Sequence, residues 1–309
     1  MGRYKIFGSY GGKIKKALHK ISCPSRSEIC VNMMISDVME SPFAARIIIV
    51  GDWTCDPIGA RNIISKVVDY WIDRGYPRVK YLTTPGGFVH FRWPSVLNPY
   101  SEEGFRLIVK EAIMAINQTL PPNLLEKLRE ITDYITLGID SESVPGNLRR
   151  PHVELVTIVD VRTGKIDWTG KSYPIVEQER GLIRAPVDTH FKNLDGDSVL
   201  VLGCHDMNAF NPRAHATAKK QMRIATQRKF IDLVKAHKPQ TVLHHPHTTD
   251  TSRIWLNGLN FLRRKLGIKR YISAFRYYNG DASPRERLDV VLSNLRIGST
   301  MDIILFKSS

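Results

Sequence analysis

Short apolar runs alternate along this chain with longer stretches whose apolar positions recur at helical spacing. Ala45-Arg-Ile-Ile-Ile-Val-Gly-Asp52 reads as a first strand ending in Gly-Asp. Between Pro57 and Gly75, the residues Ile63, Ile64, Val67, Val68, Trp71 and Ile72 trace one helical face, and Gly75 and Pro77 stop it. Val79 to Thr84 is a second strand, turned by Pro85-Gly86-Gly87. A strand, helix and strand in this order predict a parallel pair joined by a crossover. Ser101 to Gln118 and Pro121 to Thr132 predict two more helices, Tyr134 to Ile139 a strand, and Ser141 to Pro151 a polar loop.

The second half continues the alternation. Val153 to Val161, a turn at Arg162-Thr-Gly164 and Lys165 to Trp168 predict a strand pair, followed by a polar segment from Lys171 to Glu179 and a return strand near Thr189 to Phe191. Ser198 to Gly203 is rich in Val and Leu and bounded by Asp and Gly, the pattern of a strand buried on both faces. Ala214 to Lys235 has no Gly or Pro and predicts a helix stopped near Pro239. Thr241 to His247 predicts a strand, Trp255 to Leu266 a helix, Tyr271 to Tyr277 a strand, and Asp289 to Phe306 a closing pair of strands. No repeat, low-complexity tract or linker interrupts the run. The expectation is one α/β domain over residues 45–309, preceded by a basic extension over 1–44 that is poor in periodicity.

Composition narrows the class. With 309 residues and 42% hydrophobic content, the chain can bury a substantial core. No run approaches the length of a membrane span, and Met-Gly-Arg-Tyr-Lys resembles neither a secretory signal nor a myristoylation site, so a cytoplasmic protein without membrane contact is expected. The four cysteines, Cys23, Cys30, Cys55 and Cys204, include no Cys-x-x-Cys pair and predict reduced thiols. The net charge of +15 has two readings: attraction to an acidic partner such as a nucleotide or nucleic acid, or a solubilising basic surface.

The candidate chemistry sits where the strand from Ser198 ends, at Gly203-Cys204-His205-Asp206. The carboxyl end of a strand in an α/β sheet is where ligands and reacting groups are placed. A strand, a sharp turn bearing a thiol and then a helix suit a nucleophile, while a buried structural thiol is the competing reading. His244, His245 and His247 add a second cluster. On a strand His245 and His247 share a face, and with His205 and Asp206 they suit either a metal that activates water or a hydrogen-bonded pocket wall. No His-Glu-x-x-His or comparable motif accompanies them.

Taken in order, several segments resemble the carbon-nitrogen hydrolase family of nitrilases and amidases. Asn62 in the first helix, Leu82-Thr-Thr-Pro85, the run Val159-Asp-Val-Arg-Thr-Gly-Lys-Ile with Gly170-Lys171, Gly203-Cys204-His205-Asp206, and Val242-Leu-His-His-Pro246 with Trp255 carry the likeness over roughly residues 45–306. The resemblance implies a four-layer αββα sandwich and a divergent hydrolase acting on a small-molecule amide or nitrile, with no cofactor or metal and an expected homodimer. It implies Cys204 as nucleophile, Lys171 as electrostatic stabiliser and Glu179, rather than Glu177, as a secondary carboxylate. Gly86, Gly87, His205, Asp206, His245, His247 and Trp255 are the expected substrate-binding residues. One departure stands out: where the family has Pro-Glu, with the Glu as general base, this chain has Pro85-Gly86. Two further readings follow, a catalytically impaired protein of this fold that binds an acidic or protein partner, and a metal-dependent hydrolase using the histidines.

Overall fold

The computed structural model describes residues 19–20, 31–36, 40–212 and 221–307. The basic residues Arg3, Lys5, Lys13, Lys15, Lys16 and Arg26, together with Cys23, Cys30 and the start of the helix expected from Ala214, lie outside the described residues.

Two sheets pack face to face. The larger contains β1 (Val31–Ser36), β2 (Ala44–Val50), β3 (Val79–Thr83), β4 (Thr132–Glu142), β5 (His152–Asp160), β6 (Ile166–Gly170) and the late strand Thr300–Lys307. The smaller contains β7 (Phe191–Leu194), β8 (Asp197–Gly203), β9 (Thr241–His245) and β10 (Arg270–Ser273); Thr300–Lys307 is β11. In the larger sheet β1, β11, β2, β3, β4, β5 and β6 lie side by side, and in the smaller β10, β9, β8 and β7. The predicted parallel pairing of β2 with β3 is present, Ala45 facing Leu82. Between the sheets lies an apolar layer of Ala44, Tyr81, Tyr134, Val156 and Ile158 against Val199, Val201, Leu243 and Ile272.

Helices cover both outer faces. Helices α1 (Pro57–Asp73), α2 (Glu102–Thr119) and α3 (Pro122–Ile131) pack on the larger sheet through Ile64, Val67, Ile108 and Leu128. Helices α4 (Gln221–His237), α5 (Arg253–Leu266) and α6 (Leu288–Asn294) pack on the smaller through Phe230, Leu259, Leu262 and Val291. The layers run α, β, β, α, the expected sandwich. Local chemistry sets the ends: Asp56 caps α1 by accepting from the Gly59 N–H at 2.7 Å, and Gly267, at φ 74°, ends α5 in the left-handed conformation that costs glycine least.

Three expectations change. The closing strand pair begins instead as a helix, because Leu288, Val291, Leu292 and Leu295 follow a spacing of three, one and three and bury one face. The strand expected over Tyr271–Tyr277 is split. Arg270–Ser273 belongs to the smaller sheet, while Arg276–Tyr277 pairs with Ile49 and Val50 of the larger, so the chain crosses between sheets at Ala274-Phe275. The loop expected from Ser141 starts later, since β4 continues through Glu142 and pairs with β5 down to His152. The segment Val31–Ser36 pairs antiparallel with β11 and buries Met33 and Ile35.

Candidate functional site

β8 and β9 run parallel and end together, with Gly203 beside His245. The chain leaves β8 in a short 3-10 turn, Cys204–Phe210, rather than passing directly into a long helix. Asp206 closes this turn by accepting from the Gly203 N–H at 2.9 Å. The same carboxylate accepts from the backbone N–H groups of Ser172 at 2.9 Å and Tyr173 at 2.7 Å. Asp206 thus ties the segment after β6, which carries Lys171, to the turn that carries Cys204. Gly203 permits the close approach, because a Cβ there would lie 3.2 Å from the Lys171 Cα.

Cys204 is 4% exposed, so the thiol is not displayed at the surface; it lines a cavity of about 400 Å3 instead. Gly87, Asp140, Glu154, Lys171, His205 and His247 are among the other lining residues. Of the residues singled out in the sequence, Cys204, Lys171, Gly87, His205 and His247 therefore meet in one place. Glu179 is not part of that lining; its neighbour Gln178 is. Asp206, His245, Gly86 and Trp255 stand behind the wall rather than in it.

Lys171 is 2% exposed and its ammonium is held by Glu154, 3.0 Å from Oε2, and by the side-chain oxygen of Gln178. Gln178 in turn donates to Glu154 Oε1. Burial alone would lower the lysine's pKa, but Glu154 and then the Cys204 sulfur reverse this and raise it, keeping the ammonium charged. Burial would likewise raise Glu154, yet Lys171 and His247 bring it down to about 2. Glu154 lies in the middle of an apolar strand pattern and was not singled out in the sequence. Its signal was there: a carboxylate inside His152-Val-Glu-Leu-Val-Thr-Ile-Val is a buried charge in need of a cation.

Burial would hold the Cys204 thiol protonated. His205 and His247 both interact with the sulfur and together take its pKa well below the ordinary thiol value. His247 is fixed by Asp140, whose Oδ2 lies 2.5 Å from Nε2, and its pKa is raised well above 6.5 by Asp140 and Glu154 against the cost of burial.

The other histidines have structural partners. His244 bridges the Tyr271 hydroxyl at 2.7 Å and the Cys204 carbonyl at 2.8 Å, and His245 Nδ1 lies 2.7 Å from the Thr84 carbonyl oxygen. Burial lowers their pKa values to about 3 and about 4, so both are neutral at pH 7. Trp255 donates to Thr249 Oγ1 at 2.9 Å and sets its ring edge-on to His244 and His205, walling the turn. Among the described residues, no group of three His, Cys, Asp or Glu side chains is arranged to hold a metal ion. The same residues contain no helix long and apolar enough to cross a membrane.

No protein-family model matches the chain, and no curated protein matches it. Among solved structures, it is similar to a mutant of the Nesterenkonia AN1 amidase from the nitrilase superfamily, at 14% identity over 78% of this chain and 79% of that one, with a TM-score of 0.44. It is similar to a double mutant of that amidase in complex with acrylamide, at 13% identity over 86% and 90% of the two chains, with a TM-score of 0.45. A further mutant, showing covalent addition of the acetamide moiety of fluoroacetamide at its active-site cysteine, shares 13% identity over 88% and 92%, with a TM-score of 0.47. All three are structures of one nitrilase-superfamily amidase, to which this chain is similar over most of its length.

Proposed function

We propose that the chain is a divergent nitrilase-like hydrolase that cleaves a non-peptide carbon-nitrogen bond, in an amide or a nitrile, with Cys204 as nucleophile. The observation that carries this reading is the pairing, in one cavity, of a thiol held well below its ordinary pKa with a buried, charged lysine. An anionic sulfur beside a fixed ammonium is suited to attack an electrophilic carbon and to stabilise the oxyanion or imido anion that forms. Lys171 is well placed for the second role because Glu154 and Gln178 hold it before any substrate arrives, so the stabilising charge needs no reorganisation.

A cavity of about 400 Å3 fits a small molecule. Its lining sets Lys171, His205, His247 and Arg276 beside Asp140, Glu142 and Glu154, with Leu148, Val153 and Ile175 adding apolar wall, which suits a small substrate that carries hydrogen-bonding groups. The test is ammonia release from a panel of short primary amides and nitriles, comparing wild type with Cys204→Ala. Turnover of at least one compound, lost in Cys204→Ala, supports the reading. Turnover that survives Cys204→Ala refutes it.

A further inference from the structure

The resemblance leaves one part of the chemistry without a residue, since Gly86 stands where a general base is expected. The segment that follows β9 comes closest to that place. A Cβ on Gly86 would lie 2.5 Å from the His245 carbonyl oxygen and 3.2 Å from His247 Nδ1. A Cβ on Gly87, which also has φ +61°, would lie 3.1 Å from His247 Cδ2 and 2.6 Å from Asp140 Oδ2. The two glycines therefore form the floor on which the His247 ring and its carboxylate rest.

We propose that His247, oriented by Asp140, is the proton acceptor and donor of this site, taking the place of the carboxylate missing at Gly86. This deepens the hydrolase reading and rests on it. Nε2 is committed to Asp140 Oδ2, which leaves Nδ1 as the ring nitrogen for the Cys204 sulfur. Nδ1 also lies 3.5 Å from Glu154 Oε2. Three groups on separate elements thus stand in line: a thiol after β8, an imidazole after β9 and a carboxylate on β4. A nucleophile, a base and a group that orients the base are the parts thiol hydrolysis needs.

The alternatives in the cavity are less suited. Glu154, with a pKa of about 2, binds a proton too weakly to serve as base near neutral pH. His205 also touches the sulfur and packs edge-on against Trp255, but its Nδ1 has no hydrogen-bond partner among the described residues, so no carboxylate fixes its ring as Asp140 fixes that of His247. The charged groups around His247 are Asp140, Glu154 and Cys204. Lys171 stands behind Glu154, and Arg276 donates from Nε to the His247 carbonyl at 3.0 Å.

For an amide, the resting pair is a thiolate and an imidazolium. The sulfur bonds to the carbonyl carbon, and the carbonyl electron pair moves to oxygen beside Lys171. When the pair returns, the carbon-nitrogen bond breaks and His247 gives its proton to the departing nitrogen, leaving a thioester and a neutral imidazole. Water then gives a proton to His247 as its oxygen bonds to the thioester carbon. Collapse breaks the carbon-sulfur bond, and the thiolate-imidazolium pair is restored.

The test needs no knowledge of the natural substrate. Iodoacetamide alkylation of Cys204 is followed against pH in wild type, His247→Asn, Asp140→Asn and His205→Asn, with Cys204→Ala as the background. Cys55, whose pKa burial raises to about 12, adds little to that background. In wild type, reactivity is expected to persist well below pH 8; in His247→Asn the midpoint should move up toward the free-thiol value of about 8.5. Asp140→Asn should fall between them. Each protein is also acetylated with p-nitrophenyl acetate and followed by intact mass. Loss of the acetyl group should be slowed about 10² to 10⁴-fold in His247→Asn, and by a smaller factor in His205→Asn, which loses a contact to the sulfur but not the proton carrier. The proposal is overturned if His247→Asn alkylates and clears acetyl as wild type does, or if His205→Asn carries the defect instead. Those outcomes leave the Cys204 reading standing, whereas a wild-type thiol that titrates like free cysteine and takes up no acetyl group sinks both.

Discussion

Asp140 and Glu154 face each other directly across the antiparallel pair β4 and β5. Two carboxylates in that position repel unless a cation separates them. Here the His247 ring lies between, 2.5 Å from Asp140 Oδ2 and 3.5 Å from Glu154 Oε2, while the Lys171 ammonium spans both Glu154 oxygens, 3.0 Å from Oε2 and 3.1 Å from Oε1. The site is a row of alternating charges, each of which needs its neighbours.

Removing one member should therefore be costly. Glu154→Gln leaves Lys171 buried without its carboxylate, and a loss of about 3 to 5 kcal/mol is expected by urea denaturation at pH 7. Glu154 has its folded pKa depressed from 4.5 to about 2, so its contribution is complete above pH 4.5 and is lost as pH falls toward 2. The stability gap between wild type and Glu154→Gln should narrow across that window. A gap independent of pH contradicts the assignment.

Gly86 is expected to tolerate no side chain. A Cβ at this position would lie only 2.5 Å from a backbone oxygen, so Gly86→Ala forces the His245–His247 segment to move. A loss of about 1 to 3 kcal/mol is expected, together with weaker low-pH alkylation of Cys204. Introducing a carboxylate by Gly86→Glu should not raise activity, because its Cβ meets the same atom. Full stability in Gly86→Ala, with an unchanged alkylation profile, contradicts this packing.

Asp206 binds three backbone N–H groups and so sets the distance between the Lys171 and Cys204 segments. In Asp206→Asn at least one of those donors faces an amide NH2. Stability should fall by about 1 to 3 kcal/mol and Cys204 alkylation should lose its dependence on Lys171. The comparison is alkylation in Asp206→Asn, with and without Lys171→Met.

His245 is buried and neutral, with its pKa lowered from 6.5 to about 4. The unfolded chain gains a proton below pH 6.5 that the folded chain resists until about pH 4, so stability falls as pH falls through that range. The slope is about 1.4 kcal/mol per pH unit for each such histidine. His245→Gln should be less stable at pH 7 but show a shallower decline between pH 6.5 and 4. His247 has the opposite sign: its raised pKa contributes stability below pH 6.5 that is lost as pH rises through the folded value.

Much of the layer order was legible in the sequence because buried strands and amphipathic helices leave different periods. Cys204 was legible because it follows directly on a strand that ends in glycine, where a polar side chain reaches a cavity, whereas Lys171 was singled out only through the resemblance. Asp140 and Glu154 were not singled out, since a carboxylate within a strand reads as a solvent-facing position unless its cross-strand partner is known. His247 was expected at the site, but as a substrate-binding or metal-ligating residue. Its part depends on a glycine floor contributed by a segment some 160 residues earlier, a relation between distant turns that no local pattern encodes. The helix at Leu288–Asn294 was missed for a plainer reason, because seven residues between turns are too few for the helical period to outweigh Val290-Val291, which favour a strand.

Trapping the covalent intermediate tests the central claim most directly. Wild type is mixed with an amide it hydrolyses, quenched in acid during turnover and analysed by peptide mass. One acyl group is expected on the peptide carrying Cys204, absent in Cys204→Ala. Turnover without any acylated Cys204, in a protein whose Cys204→Ala variant remains active, would contradict the nucleophilic role of this thiol.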